Sequence, residues 1–162
     1  MTRMVTLEFY DAPYRFSAGH FTIFSATERE RLHGHNYSVS ASVRAAIREP
    51  GLTFDYTIFK KRLISLCQQV DRYFLLPKHS PYLHIQEEGD YYTVIFNHEK
   101  MLFLKCDVLM LPIENTTLED LAQWFIQEIT SDKSFIQAHA ISAIDMKVFN
   151  GPEQSAGASW EI

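Results

Sequence analysis

The stretch Leu32-His33-Gly34-His35-Asn36-Tyr37-Ser38-Val39-Ser40-Ala41-Ser42-Val43-Arg44 decides how this chain folds. From Asn36 to residue 48 the residues alternate, and a period of two is the mark of a half-buried strand. Residues i and i+2 of a strand share a face, so a strand entered at His33 presents two imidazoles side by side. Gly34 between them has no side chain and lets backbone come close to a metal or a substrate. An HxH pair alone is short and arises by chance on solvated strands. Here a third histidine, His20, stands upstream in Phe16-Ser17-Ala18-Gly19-His20-Phe21. His20, His33 and His35 together match the ligand set of a catalytic zinc, which takes three protein ligands and leaves one position open.

Outward from this stretch, residues 4–18 read as a first strand with a break at Asp11-Ala12-Pro13, and 36–48 as a second. A charged loop, Thr22 to Leu32, joins them. Asp55 or Thr57 caps a helix running through Val70, with Phe59, Leu63, Leu66, Cys67 and Val70 as its apolar stripe. Residues 83–88 and 91–96 read as strands about a Gly89-Asp90 turn, and 101–104 as a further short strand. The region of about 77–112 is therefore expected to be an inserted hairpin or small sheet. A second helix runs from Thr116-Thr117 to Ile129, burying Leu118, Leu121, Ala122, Phe125 and Ile129. Its first turn carries Glu119 and Asp120, where negative charge is favoured. A last strand covers about 141–150, with room for another after Trp160. Strands and helices are segregated, which makes the class α+β: an antiparallel sheet with two helices, in one domain over 1–162.

Composition bounds the function. The 162 residues suit one domain with a sizeable core, and 46% hydrophobic with 22% charged content reads as globular. A net charge of −5 gives no electrostatic case for nucleic acid or an anionic membrane surface. No apolar run reaches spanning length and no signal peptide is read at the N-terminus, so no membrane is expected. Cys67 and Cys106 are the only cysteines and form no pairing pattern, which makes the cytoplasm the expected compartment. Aromatics at 14% can fill a core, an oligomer interface or a stacking pocket for a flat heterocycle.

FSAGHF followed by LHGHNY resembles the signature of the 6-pyruvoyl-tetrahydropterin synthase and 6-carboxytetrahydropterin synthase family. Gly51-Leu52-Thr53-Phe54-Asp55-Tyr56 is similar to the family's approach to its first helix. Asp71 stands where the family has an Asp-His pair, and Thr117-Leu118-Glu119 resembles its substrate loop. The likeness covers nearly the whole chain apart from 77–112. It implies a T-fold in which subunits join their sheets into a barrel, as a homohexamer built from two trimers. Active sites would lie at subunit junctions. It also implies a zinc lyase acting on a small pterin, dihydroneopterin triphosphate or a relative, in folate or queuosine biosynthesis. His20, His33 and His35 would hold Zn2+.

Three positions depart from that pattern. The 6-carboxytetrahydropterin synthases carry a cysteine four residues before the HGH; here it is Arg29, which cannot act as a thiolate. Glu30 follows, and resembles a subgroup in which glutamate replaces the cysteine and the product is 6-hydroxymethyl-dihydropterin. The plainer reading of Glu30 is a solvated loop acid, and Glu28 competes for the same role. Asp71 is followed by Arg72 instead of histidine, so the pair is either a catalytic acid with a cationic fork or a surface ion pair. The family's pterin-anchoring glutamate on the last strand is here Asn150, with Glu153 three residues later. Thr117, Glu119, Asn150 and Glu153 are thus the candidate substrate-binding residues, and Glu30 and Asp71 the candidate catalytic ones. His79, His84, His98 and His139 match nothing in the motif and read as surface or packing residues. The competing function class is a zinc-binding relative that is non-catalytic or takes a different substrate.

Overall fold

The structure, a computed structural model, describes residues 2–162. Its centre is the strand foreseen above. β3 (His33–Ala46) is 14 residues long and buries alternate side chains from Tyr37 through Val39, Ala41, Val43 and Ala45. It is long enough to take two partners in tandem along one edge. β1 (Met4–Phe9) pairs antiparallel with its C-terminal half, and β2 (Arg15–His20) with its N-terminal half. The break at 11–13 thus splits the first expected strand into two that share one edge of β3. The other edge of β3 pairs with β9 (Ile141–Phe149), which pairs in turn with β10 (Ser155–Glu161).

Two helices cover the face on which Phe16, Tyr37, Val39 and Val43 lie. α1 (Tyr56–Val70) starts at Asp55, whose carboxylate accepts from the Thr57 N–H. α2 (Leu118–Thr130) starts at Thr117, whose hydroxyl accepts from the Asp120 N–H. Each cap satisfies an N–H that the first helical turn leaves without a partner. Phe59, Leu63, Cys67 and Val70 of α1 and Leu121, Phe125 and Ile129 of α2 enter one core with the sheet. Phe16 stacks on Tyr37 at 4.8 Å and meets Phe125 at 5.8 Å. Cys67 is buried there, and burial pushes its thiol up to about 12, so it is a packing residue.

The sheet is mixed. β4 (Phe74–Pro77) joins β2 in parallel, and β8 (Val108–Leu111) joins β4 in parallel, so the seven-stranded sheet ends on two short parallel pairings. The region expected at 77–112 therefore divides. Residues 108–111 belong to the main sheet. Residues 84–104 form a separate antiparallel sheet of β5 (His84–Glu88), β6 (Tyr91–Phe96) and β7 (Glu99–Leu104). This sheet closes over a second, smaller core of Phe21, Ile23, Leu76, Val94, Phe96 and Val108. A third helix, α3 (Lys133–Ala138), was not foreseen; its six residues are too few for a periodic signal. β10 begins well before Trp160, because its inward positions are Ala156, Ala158 and Trp160, two of them too small to stand out in hydropathy.

Candidate metal centre

The register of β2 on β3 builds the centre. His20 lies directly opposite His33, and Ala18 opposite His35. Opposite residues of an antiparallel pair share a face, so the three imidazoles converge. Ring centroids are 4.6 Å apart for His20 and His33, 5.1 Å for His20 and His35, and 4.9 Å for His33 and His35. One nitrogen from each lies within 4.8 Å of the others. Gly34, between the two β3 histidines, is required by contact: a Cβ there would stand 2.8 Å from the Ala18 carbonyl oxygen.

Hydrogen bonds fix which nitrogen is free. His20 Nδ1 lies 2.8 Å from the Thr116 carbonyl, which can only accept, so Nδ1 carries the proton. Its Nε2 is then a bare lone pair, buried with no partner among the described residues. His33 Nδ1 donates to the Arg31 carbonyl at 2.7 Å, which frees Nε2 likewise. That Nε2 is 3.1 Å from His35 Nε2. Two zinc-bound nitrogens at tetrahedral angles lie roughly 3.4 Å apart, given Zn–N bonds of about 2.1 Å. Burial lowers the pKa of both His20 and His35, which favours neutral rings ready to coordinate. An orphaned buried lone pair among converging imidazoles fits a bound cation.

Glu30 stands beside this cluster. Its Oε2 is 3.6 Å from His33 Nε2 and accepts the Thr22 N–H at 3.0 Å. Burial acts to raise its pKa, but the hydrogen bonds from Thr22 and the neighbouring histidine rings together outweigh it, and it is held below the usual carboxylate range. Glu28 is different: it is exposed at the loop tip, where its backbone closes a turn on Ser25. Asp71 is on the far edge of β2. Its Oδ1 accepts the Ser17 N–H at 2.9 Å, and its Oδ2 pairs with Arg72 at 3.2 Å.

The substrate-loop residues arrive by two routes. Thr117 and Glu119 open α2, next to the Thr116 carbonyl that holds His20. Asn150 and Glu153 lie in the turn between β9 and β10, close to the Ser38 end of β3. Gly151 and Pro152 of that turn line a hollow with Ser17, Asn36, Tyr37 and Asp71. His79, His84 and His98 are exposed, and His139 packs on Phe54 and Phe135.

Sequence reading missed Thr116 and Asn115. The Thr116 hydroxyl donates to the Phe21 carbonyl at 2.9 Å, and the Asn115 amide bonds both the N–H and the carbonyl of Ile23. Together they clamp the start of α2 to the segment that follows His20. Thr116 orients His20 through a backbone carbonyl, which leaves no trace in side-chain type. Tyr37, the last residue of LHGHNY, is another: its hydroxyl is buried without a partner among the described residues beside His35 and His20, and burial raises its pKa.

The family model described as 6-pyruvoyl tetrahydropterin synthase matches residues 11–159. A relative from Methanocaldococcus jannaschii, provisionally named a 6-carboxy-5,6,7,8-tetrahydropterin synthase, is 30% identical over 156 residues, with 94% of each chain covered. The crystal structure of 6-pyruvoyl tetrahydropterin synthase from Plasmodium vivax superposes with a TM-score of 0.93 at 28% identity, covering 99% of both chains. The corresponding Plasmodium falciparum protein gives 0.92 at 27% identity, covering 98% of this chain and 99% of that one. Two further structures are of P. vivax variants in which a glutamate described as a catalytic residue is replaced by cysteine or by alanine. This chain belongs to the 6-pyruvoyl tetrahydropterin synthase family, and its fold is the T-fold of that family.

Proposed function

We propose that this member of the family is a zinc-dependent lyase acting on dihydroneopterin triphosphate or a closely related pterin, with Glu30 as its acid–base residue. The observation that carries the reading is a single one: three converging imidazoles, one with an orphaned buried nitrogen, and a carboxylate 3.6 Å from the nearest ring. His20, His33 and His35 would hold the ion. Bound zinc supplies a Lewis acid that lowers the energy of negative charge on substrate side-chain oxygens.

The chain's own residues do the rest. Glu30 would remove a proton from a side-chain carbon of the substrate and return it at a neighbouring atom. A thiolate is not available for this step: Cys67 is buried with its thiol pushed up to about 12, and Cys106 is exposed on the short turn before β8. Thr117 and Glu119, and Asn150 or Glu153, would hold the pterin ring; Glu119 offers the ionised carboxylate that can accept two hydrogen bonds from its amino and ring N–H groups. Asp71, on the opposite edge of β2, takes its place in the reaction across a subunit junction. The assembly that provides the junction is a homohexamer of two trimers, which would also cover the free edge of β10.

The use of glutamate in place of cysteine favours one product over the others. The P. vivax protein, too, has a glutamate described as catalytic. The second reading is therefore side-chain cleavage to 6-hydroxymethyl-dihydropterin. Purified protein is incubated with zinc and dihydroneopterin triphosphate, and the product mass is read. A 6-pyruvoyl, 6-carboxy or 6-hydroxymethyl pterin names the reaction. Absence of any turnover, with zinc bound at one per chain, would favour a non-catalytic zinc protein. Equal zinc content in His33→Ala and the parent would remove the metal assignment.

A further inference from the structure

Glu30 is held beside the cluster by Thr22 and by its own neighbour, Arg29. Arg29 does not face the histidines. Its side chain is 17% exposed and turns the other way, into the smaller core. There its guanidinium lies over Phe21 at 5.5 Å and Phe96 at 5.7 Å. Nη1 donates to the Glu30 carbonyl at 2.9 Å, and Nη2 is 3.5 Å from Glu99 at the start of β7. Nε is buried with no partner among the described residues.

This is a costly way to fill space. A buried guanidinium forgoes water, and Glu99, mostly exposed, repays little of that. An apolar side chain would pack against Phe21 and Phe96 without that penalty. What the guanidinium adds is a fixed planar fork on the Glu30 peptide. Glu30 is then held at three points: its carbonyl by Arg29, its N–H by the Thr22 carbonyl at 2.8 Å, and its carboxylate by the Thr22 N–H. Two of the residues that seat Arg29, Phe96 and Glu99, come from the three-stranded sheet. We infer that Arg29 is a positioning residue for Glu30, and that the 84–104 sheet exists in part to seat it. The sheet lies beyond the catalytic loop, yet it sets where the carboxylate sits. This inference rests on the reading of Glu30 as the acid–base residue.

The test uses the zinc-loaded protein and four variants: Arg29→Met, which keeps the apolar packing, Arg29→Lys, Glu30→Gln, and the Arg29→Met/Glu30→Gln double variant. Turnover on dihydroneopterin triphosphate and amide hydrogen exchange at Thr22 are both read. For Arg29→Met we expect kcat to fall about tenfold with KM nearly unchanged, because a misplaced group loses rate without losing binding. Thr22 exchange should rise about tenfold while Phe125 stays protected. Arg29→Lys should recover part of both effects. Added to Glu30→Gln, Arg29→Met should cost nothing further, which a merely structural role would not produce. Unchanged kcat and unchanged Thr22 exchange in Arg29→Met overturn the inference while leaving Glu30 in place. Full turnover in Glu30→Gln overturns the acid–base reading instead, and Thr22 exchange then decides the positioning alone. If Arg29→Met does not fold, Arg29→Lys is judged by the same two readouts.

Discussion

The two cores of this molecule differ in size and in what they hold. The larger, between the seven-stranded sheet and α1 and α2, buries the aromatic and aliphatic faces of both helices. The smaller lies under the three-stranded sheet and has six buried members among the described residues. β2 runs from one to the other: Phe16 and Ala18 belong to the first, and Phe21 and Ile23, just past His20, to the second. The imidazole cluster sits at that seam. The large core packs the sheet against both helices, and the small one holds the Arg29 side chain that bonds the Glu30 carbonyl. On the proposed role of Glu30, stability and chemistry would rest on different apolar clusters.

Substitutions can separate the two. The largest expected effect is in the first core. Leu121→Ala empties a fully buried site beneath the sheet and should cost about 2–5 kcal/mol, read as a lower midpoint in chemical unfolding. At the seam, Glu30→Gln should leave that midpoint in place and lower kcat about 10²-fold, with zinc content unchanged. A matching fall in both would show that the seam is part of the fold and that stability and chemistry cannot be separated. In the second core, Val94→Ala removes two methyl groups and should cost about 1.6 kcal/mol. Hydrogen exchange should rise across 84–104 far more than in α2.

The smallest effect concerns acid. Asp132 caps α3, and its carboxylate accepts from the Phe135 N–H, the Ser134 hydroxyl and Arg62, which hold its pKa at about 2 against an ordinary 3.8. A depressed pKa contributes stability above the unfolded value and loses it as pH falls through the folded one. The gap in stability between the parent and Asp132→Asn should therefore be constant above pH 3.8 and close toward pH 2. A gap that widened on acidification would contradict the assignment.

Much of the larger region was legible beforehand. β3, both long helices and their apolar stripes follow from periodicity; side-chain type narrowed the first cap to Asp55 or Thr57, of which Asp55 is the cap, and the second helix start to Thr116-Thr117. The convergence of His20, His33 and His35 was legible because strand geometry converts HxH into a shared face. What escaped was non-local or small. β4 and β8 have four residues each and are paired in parallel with distant strands, which no local pattern records. α3 is one and a half turns. The smaller core was visible as strands but not as a support, because the direction of the Arg29 side chain depends on Phe96 and Glu99, far along the chain. The Thr116 carbonyl was out of reach for a different reason: any residue supplies a carbonyl, so its hold on His20 carries no sequence signal.

The pairing of His20 with His33 has one more consequence. Along a strand, side chains alternate between faces, so sliding β2 past β3 by one residue would set Gly34 opposite His20 and turn His33 and His35 away from it. The slipped strand would also turn Phe16 and Ala18 out of the larger core. The slipped sheet would have no place where three imidazoles meet. The cluster would add to that preference: an ion held by all three rings would weight the correct pairing further over its nearest misfolded competitor. Metal uptake would then report, molecule by molecule, whether the sheet has been assembled in phase.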